Sequence, residues 1–92
     1  MPRLGTTVSR MDTPETTAQR FAEEVRAGME VSGISQRDMA ARTGIPLVTL
    51  SRRLTGRSPF TVPELAAITR EIGISIVEIA LRVERAQAKA SA

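Results

Sequence analysis

The stretch that decides the fold runs from residue 35 to residue 54, SQRDMAARTGIPLVTLSRRL. Ser35 with Asp38 three residues on has the form of a capping box, Asp replacing the usual Glu, so a helix is expected to start here. Thr43-Gly44-Ile45-Pro46 then breaks it, because Gly44 can take the positive φ at which a helix stops and Pro46 suits the first turn of the next. The spacing therefore predicts two short helices, 36–43 and 46–54, joined by a tight turn. Ala40 is small enough to let them cross closely, while Met39, Ile45, Leu50 and Leu54 would anchor the pair on a common core.

The same punctuation extends outward. Upstream, Thr13-Pro14-Glu15 reads as a helix start, and Ala18, Phe21, Ala22, Val25 and Met29 form one apolar stripe that ends near Ser32-Gly33. Downstream, Thr61-Val62-Pro63-Glu64 and Ser75-Ile76-Val77-Glu78 match the capping box fully, and the breaker from Thr55 to Pro59 precedes the first of them. Five helices are expected, over 14–32, 36–43, 46–54, 62–72 and 75–87, with no competing strand-like alternation. Residues 1–12 mix Pro, Gly, Ser and Thr without an apolar period and read as a flexible arm. Residues 13–87 then form one all-α domain, and 88–92, which keep helix propensity but lose the apolar face, a frayed tail.

Composition narrows the chemistry. Ninety-two residues suffice for one modest core. With no Cys and no His, disulfides, thiolate chemistry, zinc fingers and the usual general base at neutral pH are absent, so neither a metal nor a cofactor nor an enzyme is expected. Glu23, Glu24 and Glu30 read as the solvated face of the first helix rather than an acid–base pair. Thirteen basic against ten acidic side chains is a weak excess that permits an anionic partner without demanding one. Two Phe are the only aromatics, which argues against single-strand recognition by base stacking. No run approaches the length of a membrane span, and a cytoplasmic location, in a bacterium or a phage-infected host cell, is expected.

On Gln36, Ala40, Gly44, Ile45 and Leu50, and on the following LTGRSPFTVPELAAITREIGIS, the chain resembles the phage-repressor and Cro-type helix-turn-helix family, the lambda-repressor-like domains. The resemblance covers roughly residues 14 to 84 and implies an all-α, five-helix domain whose second motif helix enters the major groove of double-stranded DNA. By position it puts Leu47, Val48, Thr49 and Arg52 at the bases, Arg52 suiting a guanine and the apolar groups suiting thymine methyls. Gln36, Pro46, Arg53, Arg57 and Ser58 would contact the DNA backbone or brace the recognition helix. Arg53 stands where the family more often has an apolar residue, which leaves a place along the core edge open to it, and Pro46 and Leu47 replace polar residues common there. The competing reading of Leu47 and Val48 is an ordinary core turn, and Arg3 and Arg10 form either a minor-groove arm or a disordered start.

The last helix carries more apolar arc than one core face uses. Ile76, Ile79 and Val83 are therefore expected to stay exposed on a monomer and to form a homodimer interface, at least on DNA. The function expected is that of a sequence-specific transcriptional regulator, a small Cro-like or phage-type repressor occupying an operator. The alternative is the antitoxin of a toxin–antitoxin pair, although neither end of the chain is rich in the apolar anchors a toxin-wrapping extension needs.

Overall fold

The computed structural model describes residues 4–91, with side chains from Thr17 to Lys89. Five helices follow one another: α1 Leu4–Ser32, α2 Gln36–Thr43, α3 Leu47–Leu54, α4 Val62–Ile72 and α5 Ile76–Ser91. Among the described residues there is no strand, and no helix is long and apolar enough to cross a membrane. The helical backbone of α1 begins at Leu4 rather than Thr13, so the Thr13-Pro14-Glu15 start signal falls inside the helix rather than at its end. α5 continues past 87 to Ser91, where Ala, Gln and Lys sustain a helix with little tertiary support. The first three residues of the expected arm, the side chains of Arg3 and Arg10, and Ala92 lie outside the described residues.

The boundaries follow from local chemistry. The Asp38 N–H donates to Ser35 Oγ (3.1 Å) at the start of α2, and at the start of α4 the Glu64 N–H donates to Thr61 Oγ1 (3.2 Å) while the Glu64 carboxylate accepts from the Thr61 N–H (3.0 Å). Gly44 ends α2 at φ 79°, and its N–H reaches the Ala40 carbonyl at 2.9 Å. A left-handed residue there turns the chain within three positions, so that α3 begins at Leu47.

Packing is organised by α1, which touches α3, α4 and α5, while α2 lies against α3 and α4. The main core combines Val25 and Met29 of α1, Met39 of α2, Leu50 and Leu54 of α3, and Leu65, Ile68 and Ile72 of α4, with Ile34 and Ile45 from the connections. Gly28 sits where α1 meets α4; an added methyl there would stand 2.6 Å from Ile72 Cδ1.

The expected exposure of Ile76, Ile79 and Val83 is corrected by this packing. α5 lies chiefly along α1, which leaves Ile79 0% and Val83 2% exposed in a single chain, and Ile76 half-buried against the main core. The Gln87 amide donates to Thr17 Oγ1 at 2.6 Å on the same seam. The apolar arc was wide because it continues onto the other side of α5, where Val77 and Leu81 are 67% and 39% exposed. A helical pattern gives the width of an arc but not which part of it meets the core.

Candidate nucleic-acid interface

α3 is two turns long, too short to hold a helical shape in isolation, so its geometry is imposed by its neighbours. Leu50 and Leu54 sink one edge into the core. At about 100° per residue, Val48 and Arg52 then lie roughly opposite that edge. Val48 is accordingly 72% exposed and Leu47 40%, exposures that rule out a core turn for this pair and present two aliphatic groups to solvent at a helix start.

The end of α3 is unusually well tied. Thr55 donates its N–H to the Ser51 carbonyl, Gly56 to that of Arg53 and Arg57 to that of Arg52, each at 3.1 Å. Arg26 Nη1 of α1 donates to the Leu54 carbonyl. The last carbonyls of the helix are thereby satisfied, and the loop carrying Arg57 is drawn back over the recognition helix.

Arg53 faces the other way. Its guanidinium donates through Nε to Glu64 Oε1 (2.8 Å), through Nη2 to Glu64 Oε2 (3.1 Å) and through Nη1 to Ser58 Oγ (2.9 Å). This bidentate pair, with both side chains under one fifth exposed, braces α3 against the first turn of α4. The hydrogen bond from Arg53 is the main reason the Glu64 carboxyl lies below its ordinary value of 4.5, with burial opposing and the Thr61 N–H assisting. The same hydrogen bond raises the Arg53 guanidinium above its ordinary value, against a smaller opposing effect of burial.

A stability prediction follows with a definite sign. Because the folded pKa of Glu64 is depressed, its contribution is complete above pH 4.5 and is lost as pH falls through the lower folded value. Glu64→Gln should therefore lower the melting temperature most near neutrality, with the gap to wild type narrowing as the pH is taken down to about 3. A gap independent of pH would show that the pair contributes nothing through charge.

An open groove runs along the outer face of the motif. Gln36 and Arg37 of α2 form one wall, Leu47, Val48, Ser51 and Arg52 of α3 the floor, and Thr55 and Arg57 the far end. The structure thus brings together Gln36, Leu47, Val48, Arg52 and Arg57 of the residues expected at DNA. Thr49 is half-buried beside the groove, Pro46 is exposed at the helix start, and Ser58 is engaged by Arg53. Arg37, Ser51 and Thr55 were not expected. Ser51 shares the Leu47 and Val48 side of α3, and Arg37 is a base in the first turn of a helix, where the dipole disfavours it; both signals are present in the sequence.

Electrostatics favour an anion here. Among the described residues, Arg37, Arg52 and Arg57 make no ion pair, whereas Glu64 and Glu71 are held by Arg53 and Arg42 on the side of α4. A formal net charge of only +3 therefore conceals a groove lined by three unpaired guanidinium groups and no carboxylate.

Two short helices joined at a left-handed glycine, the second seated on two leucines and showing solvent an apolar and arginine-bearing face, define a helix-turn-helix DNA-binding unit. The family model for the helix-turn-helix of the Xre and lambda-repressor-like type matches residues 26–79, more than half of the chain, and the protein belongs to that family. Its function class is that of a DNA-binding regulator acting on the double strand. No curated protein and no solved structure gives a significant match to the chain.

Proposed function

We propose that this protein is a small Cro-like or phage-type transcriptional repressor, which reads a specific operator in double-stranded DNA as a homodimer in the cytoplasm of a bacterial or phage-infected cell. The observation that carries this reading is the groove itself, with Arg52 and Val48 at its floor, Arg37 on one wall and Arg57 at its far end. In this reading Arg52 bonds O6 and N7 of a guanine and Val48 with Leu47 packs on thymine methyls, which is base-edge recognition. Gln36, Arg37 and Arg57 contact the flanking phosphates in this reading, and contribute affinity and register rather than sequence information. In this reading the binding unit is the stretch 13–87, with 1–12 and 88–92 as accessory flanks.

Dimer formation is supported by the outward apolar pair Val77 and Leu81, one turn apart on α5. Two copies on a near-palindromic site would set their recognition helices about 34 Å apart. Titration of a selected operator and a scrambled duplex at several salt concentrations tests the proposal. The selected site is expected to bind at least about a thousandfold more tightly, and both affinities to fall steeply with salt. Equal affinity for the two duplexes would sink the claim of sequence-specific regulation.

A further inference from the structure

Behind the recognition groove lies a second concavity of about 490 Å³, walled by Thr17, Ala18 and Phe21 of α1, by Gly56, Arg57, Pro59 and Phe60 of the α3–α4 connection, and by Val62 and Leu65 of α4. Its size is that of a small-molecule site. Both aromatic side chains of the protein meet here, each only half-buried, instead of filling the interior of the core. The wall is rigid on one side, since Gly56 at φ 79° passes so close to α1 that an added methyl would lie 2.7 Å from Gln19 Cγ and 3.2 Å from its Cα. The lining is otherwise apolar or weakly polar, and its single charge is Arg57, which has no ionic partner among the described residues.

Arg57 also closes the end of the recognition groove. Arg57 therefore borders both spaces. We propose that this cavity binds an aryl-substituted monocarboxylic acid, its ring between Phe21 and Phe60 and its carboxylate on Arg57, and that occupancy weakens operator binding by withdrawing Arg57 from the DNA. The aromatic body is called for by two half-buried rings facing an open space. The single negative charge is called for by one unpaired guanidinium in a lining without carboxylates. The regulatory half of the proposal rests on reading Arg57 as a phosphate contact.

The test uses the full chain, with 4-phenylbutyrate as probe and 4-phenylbutan-1-ol as its uncharged counterpart. In amide-resolved NMR the acid should saturably shift Ala18, Phe21, Phe60 and Leu65, and bind about tenfold more tightly than the alcohol. Arg57→Gln, which removes the positive charge from the lining, should reduce the acid to the affinity of the alcohol. Saturating acid should lower operator affinity to that of Arg57→Ala, and have no further effect on Arg57→Ala itself. Equal binding of acid and alcohol overturns the proposal, as does uptake into the cavity with unchanged operator affinity. Acid uptake by a protein that prefers no duplex would sustain the site and overturn the regulator reading instead.

Discussion

Ile79→Glu is expected to unfold this protein rather than to separate a dimer. Ile79 is completely buried where α5 packs on the rest of the domain, so the substitution takes a carboxylate out of water. The cost of an uncompensated buried charge, about 3 to 5 kcal/mol, is a large share of the roughly 5 to 15 kcal/mol that holds a small domain together. A fall in melting temperature of about 15 °C or more should be visible by circular dichroism. Val77→Glu is the control. Val77 is 67% exposed on the opposite side of the same helix, and its replacement should leave the melting temperature within a few degrees of wild type. If two copies associate through the outward face of α5, Val77→Glu should lower the stoichiometry on a two-half-site duplex in sedimentation while the protein stays folded. An Ile79→Glu protein that melts like wild type would show α5 to be wrongly placed.

The second large effect concerns base reading. Arg52→Ala should cost about 1 to 3 kcal/mol per half-site and relax the preference at one base pair, a G·C pair by the chemistry of the guanidinium. On a dimeric operator the loss doubles. Arg57→Ala should behave differently, weakening all duplexes about equally and reducing the salt slope by about 1 per half-site. Arg53→Ala differs again, since its guanidinium is spent on Glu64 and Ser58. It should lower thermal stability and shift the orientation of α3 without altering which base is preferred. A panel of single-base operator variants separates the three. Unchanged base preferences in Arg52→Ala would refute the proposed register, and Thr49 or Ser51 would then be the side chain to substitute next.

Much of this fold is legible in the sequence. The capping boxes at Ser35, Thr61 and Ser75 and the glycine at position 44 state where helices begin and end through purely local hydrogen bonding, so α2 and α4 have the expected bounds. Arg53 was ambiguous because nothing in its own neighbourhood announces Glu64, eleven residues on and on another helix. The tie from Arg26 to the Leu54 carbonyl spans a still longer separation, and no pattern within α1 signals it. The facing of α5 was misjudged for a related reason. An apolar arc wider than one contact face has no internal marker of which half is covered, and only the lie of α1 decides it. Leu47, Val48 and Arg52 of the groove were expected at DNA from the sequence, whereas Arg37 was not, because its place depends on how closely α2 and α3 approach.

The division of labour within α3 has a consequence for how binding preferences can change over time. Leu50, Leu54 and Arg53 hold the helix in place, while Val48, Ser51 and Arg52 line the groove and Val48 and Arg52 carry almost none of the core. Neither side chain belongs to the core, so exchanges at 48 and 52 should leave folding almost untouched, while the two, four residues apart on one helix face, are expected to couple in what they read. A lineage carrying this scaffold can therefore drift to new operators one side chain at a time, each intermediate remaining a stable protein. The same separation from the core makes α3 a practical starting point for retargeting, because a library confined to positions 47, 48, 51 and 52 varies the reading surface without drawing on the domain's small reserve of stability.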